Sequence, residues 1–254
     1  METIGLIAAM PLESEALLEC IQEWKRTPLG AIQGARFRLM DRDCLVVTSG
    51  MGIQHAMDGT RALLAAISPQ VLVSFGIAGA VNADLRIGDV VVARNTCWLD
   101  KDLPGPLQPL ASLSKEAWNA AAQALQPDGA RLVAGTAITT RGSQVVLGLQ
   151  EEMTHPVLEM ETVGIAQVAA EMGIPLVSIR SISDGPQSPI PFDLEAIFDE
   201  EYNLRVGKML MMVLRRPQII FQARRMTKNS RKAAVNAAKA TVAALSQLSP
   251  VISP

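Results

Sequence analysis

Short β-branched runs alternate along the chain with longer stretches of helical period. The runs Thr3–Ala9, Cys44–Ser49, Val71–Phe75, Asp89–Ala93, Leu132–Ile138, Pro156–Glu159 and Leu176–Ser181 predict strands. Between them Leu12–Trp24, Ile53–Ile67, Lys115–Gln126, Glu161–Met172 and Leu194–Leu214 predict helices. Several strands are apolar almost throughout, as strands buried on both faces must be, which predicts an α/β fold. Thr27–Cys44, with Gly30 and Gly34, reads as a hairpin, so the sheet is predicted to be mixed. The Ala/Lys/Ser-rich stretch Ala233–Ser246 predicts a terminal helix. Leu103–Leu110 and the segment holding Pro186, Pro189 and Pro191 predict surface loops. There is no internal repeat.

Composition narrows the class. With 254 residues, 49% of them hydrophobic, the chain can bury a sizeable core and is not a disordered polypeptide. Cys20, Cys44 and Cys97 are too few and too scattered for a disulfide framework. With only His55 and His155 beside them, no zinc-like spacing exists. No metal or cofactor is expected. The N-terminus lacks a basic signal region and no apolar run nears the roughly 18 residues of a spanning helix, so a cytoplasmic protein is expected. The net charge of −2 conceals a division. Tyr202–Pro254 carries ten Lys or Arg and no Asp or Glu, whereas residues 1–201 carry a formal −12.

In open α/β sheets ligands gather beyond the carboxyl ends of strands, and four such ends carry polar residues. Glu13 follows the first, either as a solvated acid at a helix start or as a functional carboxylate. Ser74-Phe75-Gly76-Ile77-Ala78-Gly79-Ala80 follows the third, either as a tight packing turn or as a ligand loop; it matches neither GxGxxG nor a Walker loop. Glu159-Met160-Glu161 puts two carboxylates on one face, which requires solvent or a partner. Arg180-Ser181-Ile182-Ser183-Asp184-Gly185 ends in an Asp that is a turn former or a proton donor of raised pKa, with Arg180 as an ion-pair partner for one of the acids. Several carboxylates without a metal cluster, an activated nucleophile or a cofactor loop make an inventory for general acid–base cleavage of a polar bond.

Ile7-Ala8-Ala9-Met10-Pro11-Leu12-Glu13, Gly76-Ile77-Ala78-Gly79, Leu85-Arg86-Ile87-Gly88-Asp89-Val90-Val91, Glu159-Met160-Glu161 and Arg180-Ser181-Ile182-Ser183-Asp184 stand in the order seen in the purine nucleoside phosphorylase/nucleosidase superfamily. The chain resembles its 5′-methylthioadenosine/S-adenosylhomocysteine nucleosidase branch over Ile4–Leu214. With its tail it is similar to the hopanoid-associated nucleosidases, which act on adenosylhopane. The resemblance implies a single-domain α/β/α sandwich around a mixed β-sheet, a homodimer or larger, and cleavage of a purine N-glycosidic bond. It assigns Asp184 to protonate N7 of the leaving base. Glu161, ionised, binds the ribose hydroxyls, and Met160 packs on the sugar. Glu13 orients or deprotonates water, and Ser183 places Asp184 or the base. Glu159, Gly76, Ile77 and Arg180 complete the substrate-binding set.

Two departures qualify these roles. The phosphorylases carry an Arg three residues before a Ser or Thr in the glycine loop; here Ser74 and Ile77 stand at those places, which favours water over phosphate. The base-binding loop Thr139–Gln144 is unlike that of the methylthioadenosine enzymes. The expected organisation is a catalytic domain over 1–214 and a basic amphipathic helical extension over 215–254. In the extension apolar groups interleave with Arg and Lys, which suits a final core helix with a solvated face or peripheral contact with the inner membrane surface. Nucleic acid fits less well, because the extension lacks interleaved Tyr, Trp or His. Two other readings stay open: phosphorolysis in place of hydrolysis, and a catalytically inactive ligand-binding or membrane-docking protein on the same fold.

Overall fold

The computed structural model describes residues 2–100, 103–141, 153–186 and 219–247, with side chains from residue 224 onward in the last segment. The elements run β1 (Thr3–Ala8), α1 (Pro11–Glu19), β2 (Trp24–Arg26), β3 (Gln33–Leu39), β4 (Arg42–Thr48), α2 (Ile53–Ala66), β5 (Val71–Ala80) and β6 (Val90–Asp100). They continue with β7 (Leu103–Pro104), β8 (Gln108–Pro109), α3 (Lys115–Leu125), β9 (Leu132–Thr139), β10 (Pro156–Glu159), α4 (Thr162–Glu171), β11 (Leu176–Asp184) and α5 (Ile219–Ser246). The helix expected over Leu194–Leu214 lies outside the described residues.

The strand order is β10-β9-β6-β11-β5-β1-β4-β3-β2, with parallel and antiparallel pairs. At the far end β10 turns back onto β5, antiparallel, with Leu158 opposite Gly79 and Val157 opposite Ala80. The strands β5, β11, β6, β9 and β10 thus close on themselves, and β1, β4, β3 and β2 extend from that ring as an open wing. The alternation of side chains along β1 separates two helical layers. Leu6 belongs to one buried cluster with Leu17 of α1, Ala121 of α3 and Ala238 of α5. Ile7 packs on the opposite face with Leu63 of α2 and Ile165 of α4. The result is the expected α/β/α sandwich on a mixed sheet.

Three expectations change. The helix predicted to reach Trp24 stops at Glu19, and Trp24 opens β2, pairing with Phe37. The glycine stretch 76–80 is strand rather than turn: β5 continues through it, with Gly76 opposite Arg180 and Gly79 opposite Asp184. Its glycines are needed for close approach of carboxylates, not for chain reversal. The boundary at 214 does not separate two cores among the described residues. Ala234, Ala238, Ala240, Ala244 and Leu245 of α5 are buried in the same cluster as the sheet, and small side chains let α5 lie close against α3 and β11.

That packing generates a test. Ala238 is 0% exposed, so Ala238→Leu should overpack the α3–α5 seam and lower stability by about 1–3 kcal/mol. Denaturant unfolding measures it; an unchanged midpoint would show that α5 does not pack there in solution.

Candidate active site

Glu13 sits in the first turn of α1, whose start is fixed by Pro11 and an extended Met10. Its carboxylate turns back into the fold and is 3% exposed. Oε2 accepts the backbone N–H groups of Ala9 and Met10, both at 2.9 Å, and Oε1 accepts that of Ile77 at 2.9 Å. Three convergent N–H groups beside a helix N-terminus form an anion nest, and the protein's own carboxylate occupies it. A Cβ on Gly76 would lie 2.3 Å from Oε1, so only glycine admits this arrangement. Burial pushes the Glu13 pKa up against the pull of those N–H groups and of Arg180, which suits a base.

Glu159 ends β10 and is 5% exposed; Arg180, in the middle of β11, is 2% exposed. Nη2 of Arg180 meets Glu159 Oε2 at 3.0 Å, Ser74 Oγ at 2.7 Å and Thr162 Oγ1 at 3.0 Å. Glu159 Oε2 also accepts Thr162 N at 2.8 Å, Thr162 Oγ1 at 2.7 Å and Glu161 N at 3.1 Å, while Oε1 accepts the Thr139 hydroxyl. Burial alone would raise the Glu159 pKa, but Arg180 and the Thr139 and Thr162 donors outweigh it and hold the carboxylate below its ordinary value. Four protein donors converge on Oε2 and one on Oε1, so Glu159 is fixed in place beside Arg180. The Nε–H of Arg180 is buried with no partner among the described residues, and Arg180 lines a pocket together with Glu13, Ile77 and Glu161.

Glu161 caps the start of α4 and is 8% exposed. Gly52 N donates to Oε1 at 2.9 Å and Met160 N to Oε2 at 3.3 Å. Burial, and after it the charge of Glu159, push the Glu161 pKa up to about 8, with Arg180 only partly opposing. Burial and the neighbouring Glu159 anion, which already holds the Arg180 cation, thus favour the acid form of Glu161, whereas the resemblance implies an ionised carboxylate on the ribose hydroxyls. Met160 is half-buried beside it.

Asp184 ends β11, past a bulge, against Gly79, where a Cβ would lie 2.6 Å from Oδ1. Ser183 Oγ donates to Oδ2 at 2.6 Å. Burial raises the Asp184 pKa, with the Ser183 bond opposing. Gly76 and Gly79, which receive the two carboxylates, are three residues or about 10 Å apart along β5 at ~3.3 Å per residue.

The sequence reading missed Thr139, Thr162, Ser74 as the partner of Arg180, and Gly52. Glu159 faces Thr139 only through the β9–β10 register, which no local pattern reveals. Gly50 and Gly52, both at positive φ, were a readable signal of a close backbone approach. Conversely, the Leu85–Val91 motif is structural. Asp89 is 2% exposed and accepts Arg86 N, Arg131 N and the Arg131 guanidinium. Of the base loop, Arg141 lies over the Trp98 ring at 5.7 Å; Ser143 and Gln144 lie outside the described residues. No group of three or more His, Cys, Asp or Glu able to hold a metal occurs among the described residues.

Fold and site together define an acid–base enzyme built on an α/β/α frame. The chain belongs to the phosphorylase superfamily, whose profile matches residues 3–215. It is 28% identical over 219 residues to the 5′-methylthioadenosine/S-adenosylhomocysteine nucleosidase of Shewanella halifaxensis, covering 80% of this chain and 93% of that one. It is 30% identical over 207 residues to the enzyme of the same name from Tolumonas auensis, covering 75% and 90%. Among solved structures it shares its fold with the Neisseria meningitidis 5′-methylthioadenosine/S-adenosylhomocysteine nucleosidase in complex with methylthio-immucillin-A. There the TM-score is 0.70 at 20% identity, over 98% of this chain and 100% of that one. The futalosine hydrolase of Helicobacter pylori gives a TM-score of 0.69 at 22% identity, over 97% and 98%.

Two outcomes follow from the geometry. Gly76→Ala should evict the Glu13 carboxylate from its nest and cut turnover by about 10²-fold or more while the protein still folds; wild-type turnover would show that the nest is dispensable. Glu161 has a folded pKa of about 8, above its ordinary 4.5. The stability this contributes is complete at acid pH and is lost as pH rises from 4.5 through about 8. Glu161→Gln removes that ionisation, so its melting temperature relative to wild type should be higher at about pH 9 than at about pH 5. Equal differences at both pH values would show that Glu161 is not buried with a raised pKa.

Proposed function

We propose that this protein hydrolyses the N-glycosidic bond of an adenine nucleoside substituted at the 5′ position, with adenosylhopane as the leading substrate. The observation that carries the reading is the Glu13 carboxylate seated in the N–H nest at the floor of a pocket shared with Glu161 and Arg180. A phosphate nucleophile would need those N–H groups or a free cation. The nest is filled, and the guanidinium of Arg180 is bound to Glu159. A water between Glu13 and the unpartnered Arg180 Nε–H would be oriented by an acceptor and a donor together, with Glu13 taking its proton as it attacks the anomeric carbon.

Asp184 works at the other end of the bond. Burial raises its pKa, which favours the acid form, and the Ser183 hydroxyl fixes the carboxyl, placing it to protonate the departing purine at N7 and leave it neutral. Glu161 faces the ribose hydroxyls. The bound ribose hydroxyls donate to its carboxylate, which releases any proton to solvent as the sugar binds, and that charge stabilises the oxocarbenium ion where it develops. Gly76 and Ile77 give the backbone of this floor, and Met160 packs on the sugar. The large lipid at the 5′ position is supported by the tail, where apolar groups interleave with Arg and Lys over residues 205–232. The methylthioadenosine and S-adenosylhomocysteine relatives support a smaller 5′ group as the second reading. The exposed Leu103 and Leu107 offer apolar surface for a second copy, in keeping with a homodimer.

Adenine release from 5′-methylthioadenosine and from adenosylhopane, followed by chromatography, tests the reading. Asp184→Asn should fold and lose about 10²-fold or more in turnover, because an amide delivers no proton. Near-normal turnover by that variant would remove Asp184 as the acid, and absence of adenine from every adenine nucleoside would remove the activity.

A further inference from the structure

Helix α5 is 28 residues long, and among its described side chains, from Arg224 onward, the first buried one is Ala233. Its two ends can be located. Leu245 O accepts Arg42 Nη1 at 2.9 Å, at the start of β4. Asn236 Nδ2 donates to Gly88 O at 2.8 Å, and Gly88 N donates to Ile182 O at 2.8 Å, two residues before Asp184. The strands β4 and β11 run in the same direction through β1 and β5, so the helix crosses the sheet from the edge opposite the site to the edge that carries Asp184. The first half of α5, residues 219–231, therefore continues past the sheet on the side of the catalytic acid, for about 20 Å at ~1.5 Å per residue.

That half carries a charge pattern. Arg224, Arg225, Lys228 and Arg231 are all exposed and recur at i, i+1, i+4 and i+7, which sets them on one stripe. At about 100° per residue the stripe lies on the side of the helix away from the buried Ala233, Ala237, Ala240 and Ala244. No acidic residue follows Glu201 in the sequence, and none of these four cations has an ion-pair partner among the described residues. Four like charges on one stripe repel one another and are retained at a cost unless an anionic surface neutralises them.

We infer that the projecting half of α5 docks on an anionic lipid leaflet and holds the Asp184 end of the sheet beside it. An extended anionic plane matches an extended cationic stripe. A nucleic acid would also neutralise the stripe, but residues 203–254 hold no Trp, Tyr or His and a single Phe to stack on bases. The docking stands on the helix alone; that it serves a nucleoside whose lipid lies in the leaflet rests on the function proposed above.

Co-sedimentation of the full chain with phosphatidylcholine vesicles, with and without phosphatidylglycerol, tests the docking. Binding should require phosphatidylglycerol and fade between about 0.05 and about 0.5 M salt. The fourfold variant R224Q/R225Q/K228Q/R231Q should lose about 10²–10³-fold in partitioning, while adenine release from soluble 5′-methylthioadenosine stays at the wild-type rate and the melting temperature is retained. Absence of binding, binding indifferent to phosphatidylglycerol or salt, or unchanged binding by the variant overturns the docking. Binding to a duplex oligonucleotide without vesicle binding overturns it as well. Vesicle binding by a protein that releases no adenine would keep the docking and remove the nucleosidase reading.

Discussion

The ion pair between Arg180 and Glu159 is the constraint on which the site depends. Both groups are almost fully buried, and two charges taken out of water are stabilised only when further hydrogen bonds complete them. Hydroxyls of Ser74 on β5, Thr139 on β9 and Thr162 on α4 supply those bonds, together with the backbone of Glu161 and Thr162. The pair thereby fastens β11 to β10, β5, β9 and α4 at one point. It also sets the electrostatics nearby. Burial, and after it the charge of Glu159, whose partner that cation is, push the Glu161 pKa up to about 8.

Closure of the sheet makes this pair possible. Because β10 pairs with both β9 and the end of β5, the Glu159–Glu161 segment is brought against the strand that carries Gly76 and Gly79. Those two glycines each receive a carboxylate, Glu13 from the wing side and Asp184 from β11. One strand thus holds both the carboxylate proposed to handle the nucleophile and the one proposed to protonate the leaving base. Glu161 enters from α4 between the roles of the two. Each acid has its own cause for a shifted pKa: burial over an N–H nest for Glu13, burial and a like charge for Glu161, and burial eased by one hydroxyl for Asp184.

Much of this was legible in the sequence, and the rest was hidden for physical reasons. The alternation of apolar strands and amphipathic helices gave the α/β layers, and carboxylates beyond strand ends singled out Glu13, Glu161 and Asp184. What local pattern could not reveal was register. Thr139 meets Glu159 only because β9 and β10 pair, and Ser74 meets Arg180 only because β5 and β11 do. Gly76 looked like a turn because glycine signals chain reversal and close approach alike. Glu159 and Glu161 looked equivalent two residues apart; Arg180 holds the pKa of the first down, while burial and the charge of that neighbour push the second up. The tail's Ala-rich half reads as helix, but that it completes the core follows only from its packing against α3 and β11.

The central claim is that the protein's own carboxylate fills the anion nest and leaves water as the nucleophile. Phosphorus-31 NMR of the reaction, run with an adenine nucleoside that the enzyme turns over and with inorganic phosphate raised from none to large excess, tests it most directly. The account predicts free sugar as the product, no sugar 1-phosphate resonance, and a rate independent of phosphate. Accumulation of sugar 1-phosphate, with a rate that rises with phosphate, would contradict it.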